Sequence, residues 1–180
     1  MTIGDFIVVE TGDDSIAEQL INQEKKTFMA LSTANELIES VKNIILQDTQ
    51  LQKYRLDLTV TEIHEYESSG SLDFGGSEFE PASTNKLDPV KKDSNDSYGW
   101  WNLAGGTYLA ICNETIQSDN NASIMVTAHP HAVEAGLMIN TIIAANGQSE
   151  SALRIPIRVP GVGCKIKENA RFASAYIISG

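Results

Sequence analysis

A mainly β chain, folded as a barrel or jelly-roll-like domain behind a helical N-terminal extension, is the fold class this sequence predicts. Three observations carry it. From Gly99 onward, short apolar segments alternate with turn residues at the spacing of an antiparallel barrel or sandwich. The run Tyr54 to Ile63 alternates polar and apolar residues at period two, which places one face of a strand on a core. Before residue 50, by contrast, apolar residues recur at helical spacing.

The elements follow in order. Residues 2–10 read as a short strand, and Thr11 to Ser15 as a turn and helix start. Ile16, Leu20, Ile21 and Phe28 then form a helical stripe among good helix formers. Thr33 and Glu36 have the spacing of a capping box, opening a second helix whose apolar face is Leu37, Val41, Ile44 and Ile45. Residues 1–50 are therefore expected to be a helical extension packed on a β domain of residues 51–180. After the Tyr54–Ile63 strand comes a long polar loop near 67–98, rich in Ser, Gly, Asp, Asn and Pro, whose carboxylates Asp73, Glu78, Glu80 and Asp88 are explained by solvation. The turn Ala104-Gly105-Gly106 separates Leu103 from a strand over Thr107 to Ile116. Further strands are expected at Ile124 to Ala128, Leu137 to Ala145, Leu153 to Val159, Cys164 to Lys167 and Phe172 to Ile178, with the hairpin dipeptide Asn146-Gly147 after the second of these.

Charge narrows the function. The 180 residues hold 24 Asp+Glu against 13 Lys+Arg, a net charge of −11. Residues 1–100 hold 19 acidic and 8 basic side chains, and residues 101–180 hold 5 of each, so the whole excess lies in the first part. An acidic chain lacks the basic face that displaces counterions from a nucleic-acid backbone, and the basic cluster that binds an anionic membrane. A nucleotide site stays open, because a bound metal ion can supply positive charge locally. No apolar run approaches the ~20 residues of a membrane span, and the acidic N-terminus lacks the basic start of a signal peptide, so a cytoplasmic location is expected. Cys112 and Cys164 in apolar, strand-like contexts read as free thiols of a reducing compartment.

Phosphate-binding glycine loops, Gly-x-Ser-x-Gly and Cys-x-x-Cys are absent from the sequence. His64 lies in the first strong strand, on its solvent face. His129-Pro130-His131, if extended, points both imidazoles to one side, although two imidazoles alone make an incomplete metal site; a strand end or turn is the reading favoured for it. Of the adjacent pair Trp100 and Trp101, one faces outward if the segment is a strand, for packing at an interface or as a base-stacking platform.

The run from Trp101 to Ile178 resembles the dUTPase and dCTP deaminase superfamily, most of all its deaminase branch. Trp101-Asn-Leu-Ala-Gly-Gly-Thr-Tyr-Leu-Ala-Ile-Cys-Asn-Glu-Thr-Ile116 is similar to that family's strand, turn and strand. His129-Pro-His-Ala-Val-Glu-Ala-Gly-Leu137 matches the length and ending of its Arg-Ser-Ser-Leu-Ala-Arg-Leu-Gly-Leu segment. Lys167-Glu-Asn-Ala-Arg-Phe-Ala-Ser174 resembles its closing Pro-Gly-x-Arg-Ile-Ala-Gln, and Asp57-Leu58 the Asp-Leu of its first motif. The resemblance covers about 125 residues, carried by the order of the motifs; the wide spacing from Asp57 to Gly106 fits the deaminase branch. It implies a β-barrel that assembles as a homotrimer, with pyrimidine deoxynucleotide sites between subunits. It also implies Asp57, Asn146, Gly147 and Arg171 as nucleotide-binding residues, and Asp57 as the residue organising a Mg²⁺ that bridges the phosphates; in an active enzyme with a rearranged site, His129 or His131 would be the general acid or base.

The departures are as informative. His129, Pro130 and His131 stand where the family places an Arg-Ser-Ser that contacts triphosphate. A neutral imidazole does not replace the bidentate fork of a guanidinium, and proline removes a backbone donor. Around Asn146-Gly147-Gln148-Ser149-Glu150 there is no Asp, no aromatic cap and no Gly-Tyr, and Leu153 to Ile157 carries no carboxylate. Three functions are consistent with these residues. The first is a catalytically degenerate homologue acting as a binding, regulatory or structural trimer. The second is an active pyrimidine deoxynucleotide hydrolase or deaminase with a rearranged, Mg²⁺-dependent site. The third is a capsid-type or interaction jelly-roll module.

Overall fold

The computed structural model describes residues 30–31, 33–116, 122–145 and 152–179. Among these residues the structure is mainly β, and the principal sheet holds ten strands. In chain order the elements are β1 (Ala30–Leu31), α1 (Ala34–Glu39), β2 (Val41–Lys42), α2 (Gln47–Gln50), β3 (Leu51–Gln52), β4 (Arg55–Tyr66), β5 (Thr84–Leu87), β6 (Trp100–Leu103), β7 (Gly106–Cys112), β8 (Thr115–Ile116), β9 (Ala122–Ala128), α3 (Pro130–Glu134), β10 (Met138–Ile139), β11 (Ile142–Ala145), β12 (Arg154–Val159), β13 (Cys164–Lys167) and β14 (Arg171–Ser179). The sheet runs β10-β12-β7-β4-β14-β9-β11, with β1 added on β14 and β3 and β5 on β4; β13 pairs with β6, and β2 with β8.

β4 shapes the molecule. Its first half pairs with β14 and its second half with β7 and β5, and its register to β7 shifts between Val60 and Glu62. A second register shift falls in β14 between Arg171 and Ala173. Such irregularities bend and twist a strand, so that one strand serves two parts of a curled sheet. Leu56, Leu58 and Val60 on one face of β4 join Trp101, Ala110, Cys112, Ile155, Ile157, Phe172 and Ala175 in the core. Full burial of a leucine such as Leu58 contributes about 1.5–3 kcal/mol. The opposite face of the same stretch, Asp57 and Thr59, is buried as well, although the alternation predicts a solvated polar face.

Several expectations meet the structure here. Residues 1–29 of the expected helical extension lie outside the described residues, as does the hairpin dipeptide Asn146-Gly147. The capping-box spacing is used: the Thr33 N–H donates to Glu36 Oε2 at 2.6 Å at the start of α1. That helix stops at Glu39, and the next residues pair as β2 with β8. Within the polar loop of 67–98, β5 pairs with β4, and Ser71 bridges Glu80. Leu137 to Ala145 is divided: β10 pairs with β12, whereas β11 pairs with β9. His64 sits 2.9 Å from Glu62, which also holds Lys86 at 2.6 Å across the β4–β5 pair. Trp101 is buried, its Nε1–H donating to the Leu87 carbonyl at 2.8 Å, while Trp100 is half-buried under Lys92 and Lys167. Both cysteines are free, and burial pushes each thiol up, Cys112 the further.

His129-Pro130-His131 stands at a strand end, directly after β9, and is not an extended pair. His129 is extended (φ −69°, ψ 144°), but Pro130 opens α3 with His129 as its N-cap. Proline is suited to a first helical position, where its missing N–H has no partner to lose. α3 ends where Gly136 takes φ 82°; the Gly136 N–H donates to the Val133 carbonyl and the Leu137 N–H to the Ala132 carbonyl, 2.9 Å each. Only glycine adopts that backbone without steric cost, and the bonds satisfy the last carbonyls of the helix.

Candidate functional site

The register of three strands assembles the site. On β4, Arg55, Asp57 and Thr59 share a face because side chains alternate. Ser174 of β14 is the direct cross-strand partner of Asp57. On the other side of β14, the His129 N–H donates to the Phe172 carbonyl at 3.0 Å, which brings the end of β9 to the same place. Arg171 enters at the register shift of β14.

These residues close around the Asp57 carboxylate, which has no exposed surface. Asp57 Oδ1 accepts from Arg55 Nε at 3.0 Å and from Ser174 Oγ at 3.1 Å. Asp57 Oδ2 accepts from Arg171 Nη1 at 3.2 Å and lies 3.2 Å from His129 Nε2. Arg171 Nη1 also donates to the Thr49 carbonyl at 3.3 Å. His129 Nδ1 accepts the His131 backbone N–H at 3.1 Å, so the ring proton belongs on Nε2, aimed at Asp57. Burial holds the His129 pKa below the usual imidazole range, against the opposing pull of the Asp57 carboxylate. His129 is thus a neutral spacer between a carboxylate and a helix start. The His131 ring packs edge-on against it, centroids 4.8 Å apart, and is exposed.

A second buried carboxylate lies behind the first. Glu114 Oε1 accepts from Gln50 Nε2 at 2.6 Å and pairs with Thr59 Oγ1 at 2.5 Å, and its Oε2 accepts the Thr59 N–H at 2.9 Å. Gln50 Oε1 accepts the N–H groups of Ile45 and Leu46, both at 2.9 Å, and Gln50 Nε2 also donates to the Asp57 carbonyl. Asn113 links Thr59 to Asn169, whose φ of 61° turns the chain from β13 into β14. Burial pushes the Glu114 carboxyl up, and the bonds from Thr59 and Gln50 oppose the shift.

Both networks border one cleft of about 460 Å³, a size that suits a small ligand. Ile45, Leu46, Thr49 and Gln50 form one wall, β13 and the start of β14 another, and His131, Ala132 and Leu137 the third. Its cations are Lys165, Lys167 and Arg171.

Of the residues predicted from sequence, Asp57, His129 and Arg171 meet in one cluster, and His131 stands at its edge facing the cleft. Asn146 and Gly147 lie outside the described residues. The Mg²⁺ that the resemblance implies does not fit Asp57. Each carboxylate oxygen already meets two protein groups, two of the four being guanidiniums that a divalent cation would have to displace. Among the described residues, no three His, Cys, Asp or Glu side chains stand close enough to hold a metal. Sequence reasoning missed Arg55, Ser174, Gln50 and Glu114. Arg55 was findable, two residues before Asp57 on an alternating strand.

Against known proteins, the chain is 31% identical over 153 residues to a probable deoxyuridine 5'-triphosphate nucleotidohydrolase of Methanosarcina mazei, covering 79% of this chain and 84% of that protein. A protein of the same name from Methanosarcina acetivorans is 28% identical over 153 residues, with the same coverage. Among solved structures, the 2'-deoxycytidine 5'-triphosphate deaminase of Agrobacterium tumefaciens superposes with a TM-score of 0.59 at 11% identity, over 84% of this chain and 47% of that one, a likeness of fold. No family model matches the chain.

Proposed function

Because the chain belongs to the dUTPase and dCTP deaminase superfamily, we propose that it is a catalytically degenerate member, a cytoplasmic homotrimer that binds a pyrimidine deoxynucleotide for regulation or assembly and does not turn it over. One observation carries this reading: Asp57, the residue matching the family's first motif, is sealed by Arg55, Arg171, His129 and Ser174. A carboxylate whose lone pairs are committed to its own protein neither organises a metal nor takes a proton from water. His129 is neutral and nearly enclosed, with both ring nitrogens engaged, so it positions Asp57 and α3 and acts on no ligand. The cations of the cleft, Arg171, Lys165 and Lys167, bind and orient an anion. Among the described residues no carboxylate lines the cleft to act as general base, a role that normally contributes about 10²–10⁴-fold. Among the described residues, no helix is long and apolar enough to cross a membrane.

A second reading rests on His131, which is exposed and lines the cleft beside Arg171. In it, His131 serves as general base for hydrolysis or deamination. The two readings separate in one experiment. Purified protein is incubated with dUTP or dCTP and Mg²⁺, following pyrophosphate, ammonia and the thermal unfolding midpoint. A stabilising shift without product supports the degenerate reading. Product formation abolished by His131→Ala overturns it in favour of the second.

A further inference from the structure

The sign of the charge reverses at the cleft. The chain carries −11, yet three of the five basic side chains of residues 101–180 line this space, and among the described residues no carboxylate does. Behind them, Arg55 and Arg171 face the single Asp57 carboxylate, and His129 is neutral, so the cluster keeps one net positive charge. A second fully buried acid, Glu114, is screened by Gln50 and Thr59, which occupy both its oxygens. In a site built on free carboxylates, a phosphate needs a divalent cation between two negative partners. Here the protein's own cations already cover the carboxylate, and the surface a ligand meets is positive.

The geometry favours direct contact. Arg171 is pinned at Nη1 by Asp57 Oδ2 and the Thr49 carbonyl, which orients the guanidinium, while its side chain stays 30% exposed along the wall. An oriented guanidinium binds phosphate oxygens at little entropic cost. Lys167 lies 5.6 Å from the centre of the Trp100 ring, so a charged and an aromatic group border the same wall. Leu137, Ile166 and Phe172 supply apolar surface for the uncharged part of a ligand.

We infer that the cleft receives a phosphate-bearing ligand directly on Arg171, Lys165 and Lys167, with no divalent cation between ligand and protein. This rests on the reading of the chain as a nucleotide-binding member, and its test is independent of turnover. The full chain is first titrated with Mn²⁺ alone, reading free Mn²⁺ by electron paramagnetic resonance. The free signal is expected to stay complete; a loss of signal that Asp57→Asn abolishes would overturn the inference. The chain is then titrated calorimetrically with inorganic pyrophosphate and with dUMP, each in EDTA and in MgCl₂. Heat of binding is expected in EDTA and no tighter in MgCl₂, from pyrophosphate alone if the site reads phosphate and from both if it reads the nucleotide. Arg171→Gln is expected to weaken binding at least about tenfold, the size of a lost charge-assisted contact. Lys165→Ala and Lys167→Ala, on an exposed strand edge, give smaller losses and keep the test usable if Arg171→Gln unfolds. Binding only in MgCl₂, or none under either condition, would overturn it. Turnover of dUTP in EDTA would end the degenerate reading and support this one.

Discussion

Asp57 and Glu114 are both fully buried acids, and both engage the same face of β4, yet the protein treats them in opposite ways. Asp57 is surrounded by Arg55 and Arg171, with His129 and Ser174 completing its shell. Glu114 meets only neutral donors, the Gln50 amide and the Thr59 N–H and hydroxyl. The first arrangement balances charge and leaves a positive face toward the cleft. The second distributes hydrogen bonds and holds the residue 45–50 wall in place through Gln50. Burying a carboxylate is costly in either case, and the compensation differs: cations in one, a network of neutral donors in the other.

Breaking the first arrangement should have the larger effect. Asp57→Ala leaves two guanidiniums and the imidazole facing an empty acceptor, and a cost of about 3–5 kcal/mol is expected, read from urea unfolding at neutral pH. Glu114→Ala leaves the Gln50 and Thr59 donors unpaired, for about 1–3 kcal/mol. It should also loosen the cleft wall, measurable as faster amide exchange at Ile45 and Leu46.

The two networks also differ in how pH acts on them. Because burial raises the Glu114 pKa, the folded state holds a proton that the unfolded chain releases. Its contribution is therefore full below the ordinary carboxylate pKa and lost as pH rises toward the raised value. Thermal midpoints should fall through that window in the wild type and not in Glu114→Gln. His129 runs the other way. Its pKa is lowered, so the unfolded chain binds the extra proton first, and stability present above about 6.5 is lost as pH falls toward the lowered value. His129→Gln should flatten that acid limb of the profile. The smallest effect belongs to the surface: Lys86→Ala removes an exposed partner of Glu62 and is expected to cost about 0–1 kcal/mol.

Much of the fold was legible because it is local. The alternation of Tyr54 to Ile63, the apolar segments after Gly99 and the Thr33–Glu36 spacing each report neighbours within a few residues. The Asp57–Arg171 pairing was legible only as two motifs of a resemblance, 114 residues apart. Three features escaped. The buried polar face of β4 depends on Gln50 and Glu114, 64 residues apart, for which no local pattern exists. The strand-end reading of His129 to His131 did not specify that His129 is an N-cap and that Pro130 opens a helix. The split of Leu137 to Ala145 between two partners is a matter of register, which an apolar run does not specify.

The central claim is that Asp57 is closed by the protein's own donors, with His129 as a neutral, Nε2-protonated part of the closure. Nitrogen-15 NMR of the imidazole rings tests it most directly, by recording long-range ¹H–¹⁵N correlations at neutral pH before and after Mg²⁺ is added. The account predicts the Nε2–H tautomer for His129 and shifts that do not change with Mg²⁺. An imidazolium at neutral pH, an Nδ1–H tautomer, or His129 resonances that move with Mg²⁺ would contradict it.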